Sequence, residues 1–249
     1  IIGKSNTPEF GAGANTFNEV FGKTYNPWNT SKTCGGSSGG AAVSLATGQV
    51  WMATGSDLGG SLRIPASYCS VTGLRPTPGR VPHGPADIAF DTLTVDGPMG
   101  RDALDTAIFL DAMCGTNVND PISLPKPVSP FADAVHHKHK HLPTRVAFSP
   151  DLGIFPVDKK VAEICKNAAL CLEKVGIKVE DDSPSFKNAV ETFQVLRAAL
   201  FAGTKINLLE HHRDALKPEL IWNIEKGLSL TSQEIGKAQV ARSKLYHRM

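Results

Sequence analysis

The sequence predicts an α/β fold in which helices cover a β-sheet. The main observation is a strand–helix–strand pattern between Arg145 and Asp181, where two short β-type segments flank apolar residues at helical spacing. Two strands joined by a helical crossover run parallel, which is typical of an α/β sheet. The 249 residues, 41% of them hydrophobic and 20% charged, suffice for one sizeable core or two small ones.

The first half of the chain is rich in turns. Ile1–Lys4 is predicted to lie in a strand, and the small apolar residues of Ala41–Gly48 predict a tightly packed helix. An amphipathic helix is predicted from Leu104 to Met113, ending at Gly115. The proline-rich stretch from Cys114 to Thr144 is interpreted as a long surface connection.

The strand–helix–strand unit has clear boundaries. Arg145–Ser149 is the first predicted strand, and the helix starts at Lys159. Gly176 stands where a glycine ends a helix in the left-handed conformation, and Ile177–Asp181 is the second strand. The apolar residues that predict the helix are Val161, Ile164, Cys165, Ala168, Ala169, Leu172 and Val175.

Beyond Ser185 the pattern is helical throughout. Thr231 and Glu234 have the spacing of a capping box and predict the start of the last helix. This helical pattern still continues at Met249, and the sequence begins without an initiator methionine. We therefore expect a piece of a longer protein, incomplete at both ends.

Charge and cysteine content limit the classes of function. The net charge of +2 gives no reason to expect nucleic acid or an anionic membrane as a partner. The sequence contains no run of 18 apolar residues and no signal peptide pattern. The five cysteines include no C-x-x-C pair, which indicates reduced thiols in a cytoplasmic protein rather than a disulfide framework or a zinc site.

Glycine and serine are concentrated in one region. Of the 23 glycines, 11 fall between Gly35 and Gly84, which indicates unusual backbone geometry there. Acyl transfer by a serine requires a base for the hydroxyl and main-chain N–H donors for the oxyanion. The segment Leu58–Gly59–Gly60–Ser61 offers successive N–H groups next to a serine, and Ser37 stands on a second glycine-bordered turn that could pass on a proton.

Several ordered motifs make the resemblance to a known family specific. They are Gly35–Ala41, Gly55–Arg63, Pro65–Cys69 and Gly73–Thr77, preceded by Ile1–Phe10 and followed by Asp96–Arg101 and Arg145–Gly153. This series resembles the amidase signature family over essentially the whole chain. The resemblance implies a single domain with a mixed central β-sheet covered by helices on both faces. Its parts would be a signature core over 1–115, a connection over 116–144, a strand–helix–strand unit over 145–185 and a helical pocket-covering region over 186–249.

The resemblance also implies roles for individual residues. Ser61 would be the nucleophile of a Ser–Ser–Lys triad, and Ser37, held in a cis peptide, would be its proton relay. The N–H groups of Leu58, Gly59, Gly60 and Ser61 would form the oxyanion hole, with Ser38, Asp57 and Arg63 as supporting residues. We expect a small-molecule amide as the substrate, no metal or organic cofactor, and leave a homodimer open.

One part of the family pattern is missing from the sequence. The family's general-base lysine lies well upstream of the segment at which this chain begins, and Lys4, Lys23 and Lys32 are interpreted as surface residues. We therefore expect the isolated chain to be a crippled catalyst. The alternative is a non-catalytic or partner-dependent subunit, such as the amidase subunit of a tRNA-dependent amidotransferase.

Other patterns have competing interpretations. Gly35–Gly39 fits the nucleophile elbow of α/β-hydrolases, although the polar segment before it does not resemble the required strand. Gly3-Lys4-Ser5 resembles the end of a P-loop, but Pro8 would interrupt the helix. The run His136–His141 could bind a metal or form a solvated loop, and His83 could border a pocket or face solvent. Apolar residues after Phe186 could form core or determine selectivity; they are Phe193, Val195, Leu196, Leu200 and Phe201.

Overall fold

The computed structural model describes residues 1–136 and 142–249. The chain divides into two compact units. Unit 1 comprises Ile1–Lys138 and Lys217–Leu220, and unit 2 comprises His139–Leu216 and Ile221–Met249. The boundary after Lys138 falls inside the predicted connection, while the predicted division of one domain into four parts stays a prediction.

Unit 1 is built on a three-stranded antiparallel sheet. Its elements are a 3₁₀ turn Glu9–Gly11, β1 Phe17–Asn18, β2 Gly22–Lys23, α1 Gly39–Ala46, β3 Met52–Asp57, α2 Arg63–Cys69, β4 Thr72–Gly73, β5 Val95–Gly100, α3 Ala103–Met113 and α4 Phe131–His136. The strand order is β3-β5-β4, with Asp57 opposite Val95, and β1 pairs separately with β2. The main core includes Leu45 of α1, Met99 of β5 and Leu62, all fully buried.

Unit 2 combines a parallel strand pair with long helices. Its elements are β6 Arg145–Phe148, α5 Lys159–Leu170, a 3₁₀ turn Cys171–Val175, β7 Lys178–Asp181, α6 Ala189–His212, a 3₁₀ turn Arg213–Ala215 and α8 Ser232–Arg248. Helix α7 spans Pro218–Leu228; its residues up to Leu220 belong to unit 1, and those from Ile221 belong to unit 2. In the strand pair, Arg145 lies opposite Lys178.

Local sequence signals are confirmed in both units. Gly176 ends its helical segment with φ +84°, and β6 and β7 are parallel as the crossover pattern predicts. The capping box at Thr231 and Glu234 is formed in both directions. The α/β class is confirmed, and the strands of the described residues pair as three separate sheets.

Two features differ from what the sequence pattern predicts. Ile1–Lys4 lies outside every strand and is exposed, because no neighbouring strand pairs with it in the described part of the chain. Helix α5 forms as predicted, yet no residue of it is buried, and Val161 and Ile164 are about half exposed. Periodicity therefore predicts the helix itself but not how deeply its apolar face is covered.

Within the described residues, we find no helix whose length and apolar content would let it span a bilayer.

Two helical glycines in unit 2 give opposite predictions. A methyl group on Gly227 of α7 would lie 2.1 Å from the Ala198 carbonyl oxygen of α6, so Gly227→Ala forces two helices apart and should destabilise the fold by about 2 kcal/mol. Gly236 of α8 has open space around it, so Gly236→Ala should stabilise the fold by about 0.5–1 kcal/mol. Urea unfolding of both variants checks this. Equal effects of the two substitutions would contradict the packing described here.

Candidate active site

The predicted relay serine lies on a tight turn that leads into α1. Ser37 and Ser38 are buried, and the peptide bond between Gly36 and Ser37 is cis, as the family resemblance implies. The hydroxyl of Thr16 holds both sides of this turn: it donates to the Gly35 carbonyl oxygen at 2.9 Å and accepts from the Gly39 N–H at 3.2 Å. Because Thr16 is itself buried, these hydrogen bonds are shielded from water.

Glycines let the N-terminal segment come very close to this turn. A methyl group on Gly39 would lie 2.2 Å from the Thr16 hydroxyl, and one on Gly40 would lie 2.4 Å from the main-chain nitrogen of Asn6. The Gly40 N–H donates to the Asn6 carbonyl oxygen at 3.1 Å. Positions 39 and 40 therefore require glycine for close backbone approach.

The predicted nucleophile lies on a second turn, which connects β3 with α2. Ser61 is partly buried and follows Gly60, whose φ of +115° is accessible mainly to glycine. The Ser38 N–H donates to the Ser61 carbonyl oxygen at 3.3 Å. The Ser38 hydroxyl also accepts from the Ser56 N–H at 3.3 Å. The structure thus brings the two serine-bearing turns into direct contact through Ser38.

The carboxylate of Asp57 organises the second turn. It is fully buried and accepts from the N–H groups of Gly60 at 2.7 Å and Leu62 at 3.2 Å. Arg63 binds both of its oxygens, at 3.0 and 3.1 Å, and Arg75 approaches at 3.2 Å. Burial raises the pKa of Asp57, but the Arg63 hydrogen bond, the Gly60 N–H and the two guanidinium charges outweigh burial, so the pKa lies below its ordinary value.

One of the four N–H groups predicted to form the oxyanion hole takes part in this network. The Gly60 N–H donates to the Asp57 carboxylate at 2.7 Å. The N–H groups of Leu58, Gly59 and Ser61 have no acceptor among residues 1–136 and 142–249. The role of all four N–H groups as oxyanion donors stays a prediction, and of the four the Gly60 N–H already has a hydrogen-bond acceptor in the described residues.

The candidate lysines lie at the surface. Lys4, Lys23 and Lys32 are all exposed, in agreement with the sequence interpretation. No side chain within the described ranges forms a hydrogen bond with the Ser37 hydroxyl. In the described part of the chain, the relay serine is therefore held through its main chain alone.

The nucleophile-elbow and P-loop interpretations lack their structural context. No strand directly precedes Gly35 in the described structure, because residues 26–34 form turns and one isolated bridge. Gly3-Lys4-Ser5 is followed by the 3₁₀ turn Glu9–Gly11 rather than by an α-helix.

The buried cysteines of unit 1 and the candidate histidines have structural explanations. Burial raises the pKa of Cys34, which packs in the core of unit 1, and raises the pKa of Cys69 to about 12. His83 forms an ion pair with Asp96 at 2.7 Å, which raises the pKa of His83. His136 ends α4, and the rest of the histidine run lies outside the described residues. Among those described, no group of three or more His, Cys, Asp or Glu side chains could hold a metal ion.

The sequence interpretation missed two supporting residues. Arg75 lies in the motif Gly73–Thr77, and its charge there could have marked it as a partner of Asp57. Thr16 has no signal in the sequence, because its partners are about 20 residues away in a region of turns. Arg63 binds Asp57, and Ser38 binds Ser61, while the supporting roles of Asp57, Arg63 and Ser38 stay predictions.

Replacing the buried carboxylate tests its role. Asp57→Asn removes the negative charge between two arginines and should lower the free energy of unfolding by about 3 kcal/mol at neutral pH. The pKa of Asp57 is lower in the folded chain than in the unfolded chain. The ionised carboxylate therefore stabilises the fold fully above the pKa of the unfolded chain, about 4, and this stabilisation is lost as the pH falls through the pKa of the folded chain. Denaturant unfolding from pH 7 to pH 2 measures both effects.

Glu180→Gln is the matched control for this prediction. Glu180 also pairs with two cations, Arg145 and Lys178, but does so at the surface, where ion pairs contribute little. A loss in Asp57→Asn no larger than that in Glu180→Gln would show that the buried network does not stabilise the turn.

Comparison with known proteins shows which family this chain resembles in sequence and in fold. A family model described as Amidase matches residues 1–248. An acylamidase from Rhodococcus erythropolis is 35% identical over 249 residues, which are 99% of this chain and 52% of the relative. A glutamyl-tRNA(Gln) amidotransferase subunit from Listeria monocytogenes is 36% identical over 199 residues, 80% of this chain and 41% of the relative.

Solved structures of the amidase signature family share the fold of this chain. The crystal structure of a bacterial aryl acylamidase of the amidase signature family superposes with a TM-score of 0.87 at 29% identity, covering 97% of this chain and 51% of that one. The chain thus spans about half the length of these two acylamidases. Because the family match runs along nearly the whole sequence and a solved member shares the fold, this chain belongs to the amidase family.

Proposed function

We propose that the protein hydrolyses the C–N bond of a carboxylic amide through an acyl-enzyme on Ser61. The observation that supports this proposal is the contact between two glycine-bordered turns, in which Ser61 is hydrogen-bonded to Ser38, the residue after Ser37. Free N–H groups of Leu58, Gly59 and Ser61 adjoin the proposed nucleophile. Such donors stabilise negative charge on a carbonyl oxygen when a tetrahedral intermediate forms.

The proposed reaction has two stages. The Ser61 hydroxyl attacks the amide carbon and passes its proton to Ser37, which gives its own proton to a general base. The C–N bond then breaks, and the leaving amine receives a proton through Ser37. Water hydrolyses the ester on Ser61 by the same proton path in reverse, which releases the acid and restores both hydroxyls.

We propose that the base is a lysine outside these 249 residues. Supporting this, the three candidate lysines near the first turn are exposed, and no described side chain binds the Ser37 hydroxyl. A neutral lysine in hydrogen-bond reach of Ser37 would complete the relay. On this proposal the 249 residues alone hydrolyse amides poorly.

Relatives suggest which substrates to try first. The Rhodococcus erythropolis relative is named an acylamidase, and a solved neighbour is an aryl acylamidase. These names favour an N-acyl amide, so a chromogenic acyl anilide is the first substrate to test. A small-molecule substrate without nucleic acid or membrane partners, a cytoplasmic location and an open homodimer question remain predictions from the sequence.

A second candidate function has a specific observation in its favour. Several relatives are subunits of glutamyl-tRNA(Gln) amidotransferases, at 33% to 39% identity over 74% to 97% of this chain. On this alternative the protein acts only with partner proteins. Anilide hydrolysis by the purified whole protein without partners favours the amidase, whereas activity that appears only with added partner proteins favours the alternative.

Serine substitutions test the proposed nucleophile and relay. In the whole protein, Ser61→Ala and Ser37→Ala should each lower kcat for anilide hydrolysis by at least about 10³-fold, because each removes a hydroxyl that the reaction uses directly. Labelling of Ser61 by a fluorophosphonate should disappear in Ser61→Ala. The control is Ser67→Ala, which removes an exposed hydroxyl from α2 and should leave activity unchanged. Normal turnover by Ser61→Ala would refute the assignment.

The support given by Thr16 makes a separate prediction. Thr16→Val keeps the shape of the side chain but leaves the Gly39 N–H without its buried acceptor, so the fold should lose about 2 kcal/mol and kcat should fall more than about tenfold. Thr16→Ser keeps the hydroxyl and should retain most activity. Thermal unfolding and anilide kinetics measure the two effects, and equal kinetics for Thr16→Val and Thr16→Ser would contradict the role.

A further inference from the structure

Lys217 connects a distant part of the sequence to the segment beside the site. It directly precedes α7, belongs to unit 1, and lies more than 200 residues from its partners in sequence. Its main-chain N–H donates to a Glu9 carboxylate oxygen at 3.3 Å, and its ammonium group donates to the Ala12 carbonyl oxygen. The same ammonium lies 5.7 Å from the centre of the Phe17 ring.

The turn that Lys217 holds is adjacent to the proposed relay serine. A methyl group on Gly11 would lie 3.8 Å from the Ser37 hydroxyl oxygen, and one on Gly13 would lie 3.4 Å from the Lys217 ammonium. Gly11 and Gly13 of the same short turn therefore lie near Ser37 and Lys217, respectively.

The backbone of this turn needs external support. Phe10 and Gly11 both have positive φ, +51° and +68°, and a phenylalanine adopts this conformation rarely. Such conformations persist when surrounding contacts fix them. The local hydrogen bonds run from the Gly11 N–H to Pro8, from the Ala12 N–H to Glu9 and from the Gly13 N–H to Gly11, whereas Lys217 supplies bonds from outside the turn.

The contacts of Lys217 also explain how a partly buried ammonium group is stabilised at this position. Leu220, one turn further along α7, is fully buried and anchors this stretch. Burial lowers the pKa of Lys217, while the carboxylates of Glu219 and Glu9 act in the opposite direction. A partly desolvated ammonium is tolerated because a carbonyl oxygen and an aromatic face receive it.

We propose that Lys217 is a positioning residue of the amidase site, which fixes the Glu9–Gly13 turn against Ser37 and thereby keeps the relay hydroxyl in place. This inference rests on the proposed function. Because the turn borders the relay rather than the nucleophile, loss of Lys217 should slow proton transfer. The expected consequence is a lower kcat with little change in KM.

The test compares three variants of the whole protein. Lys217→Met should lower both kcat for anilide hydrolysis and the rate of fluorophosphonate labelling of Ser61 about tenfold, whereas Lys217→Arg, which keeps the cation, should recover most of each rate. Lys226→Met is the control, because Lys226 lies on α7, the helix that Lys217 directly precedes, and its ammonium contacts an aromatic ring, that of Trp222. Lys226→Met should match the wild type.

Each outcome separates the two proposals. If the wild type is labelled at Ser61 and Lys217→Met equals Lys226→Met, the role of Lys217 is wrong and the proposed function stands. If the wild type is not labelled, the proposed function fails and the role of Lys217 fails with it. A KM effect alone, or no recovery in Lys217→Arg, would also overturn the positioning role. Should Lys217→Met not fold, Glu9→Ala removes the tether from the other side and should show the same fall in kcat.

Discussion

The buried carboxylate of Asp57 is the interaction on which the geometry of the site depends. It binds two main-chain N–H groups just before α2 and two arginines, so one side chain fixes the turn after β3 at several points. Because Asp57 is fully buried, a missing partner would leave charge uncompensated in a region that water does not reach. The path of the backbone past Ser61 is therefore strongly determined.

The same carboxylate accepts hydrogen bonds from some N–H groups of this turn and not from others. Gly60 is buried, and its N–H is satisfied by Asp57. Gly59 is exposed, while Leu58 and Ser61 are partly exposed, and their N–H groups have no acceptor among the described residues. A turn of this kind keeps donors available without burying them unpaired, which would cost about 1–3 kcal/mol each.

The sequence predicted the parts of the fold that depend on near neighbours. The glycine end at Gly176 and the capping box at Thr231 are local hydrogen-bond patterns, and both form as expected. The two serine turns were found because their glycines mark unusual backbone. The missed features involve partners far apart in sequence, such as Thr16, or the direction of one N–H, as at Gly60. A residue pattern does not contain that information, because many side chains could satisfy the same backbone group.

The two serine turns depend on different supports and meet at one residue. Asp57 fixes the turn of Ser61, whereas Thr16 and the N-terminal segment fix the turn of Ser37. Ser38 bonds across, with its N–H to the Ser61 carbonyl oxygen and its hydroxyl to β3. The hydrogen bonds of Ser38 thus explain why a second serine follows Ser37: they connect the turn that carries Ser37 to the turn that carries Ser61. Precise placement of two hydroxyls requires such a connection, because two turns held independently would move relative to each other.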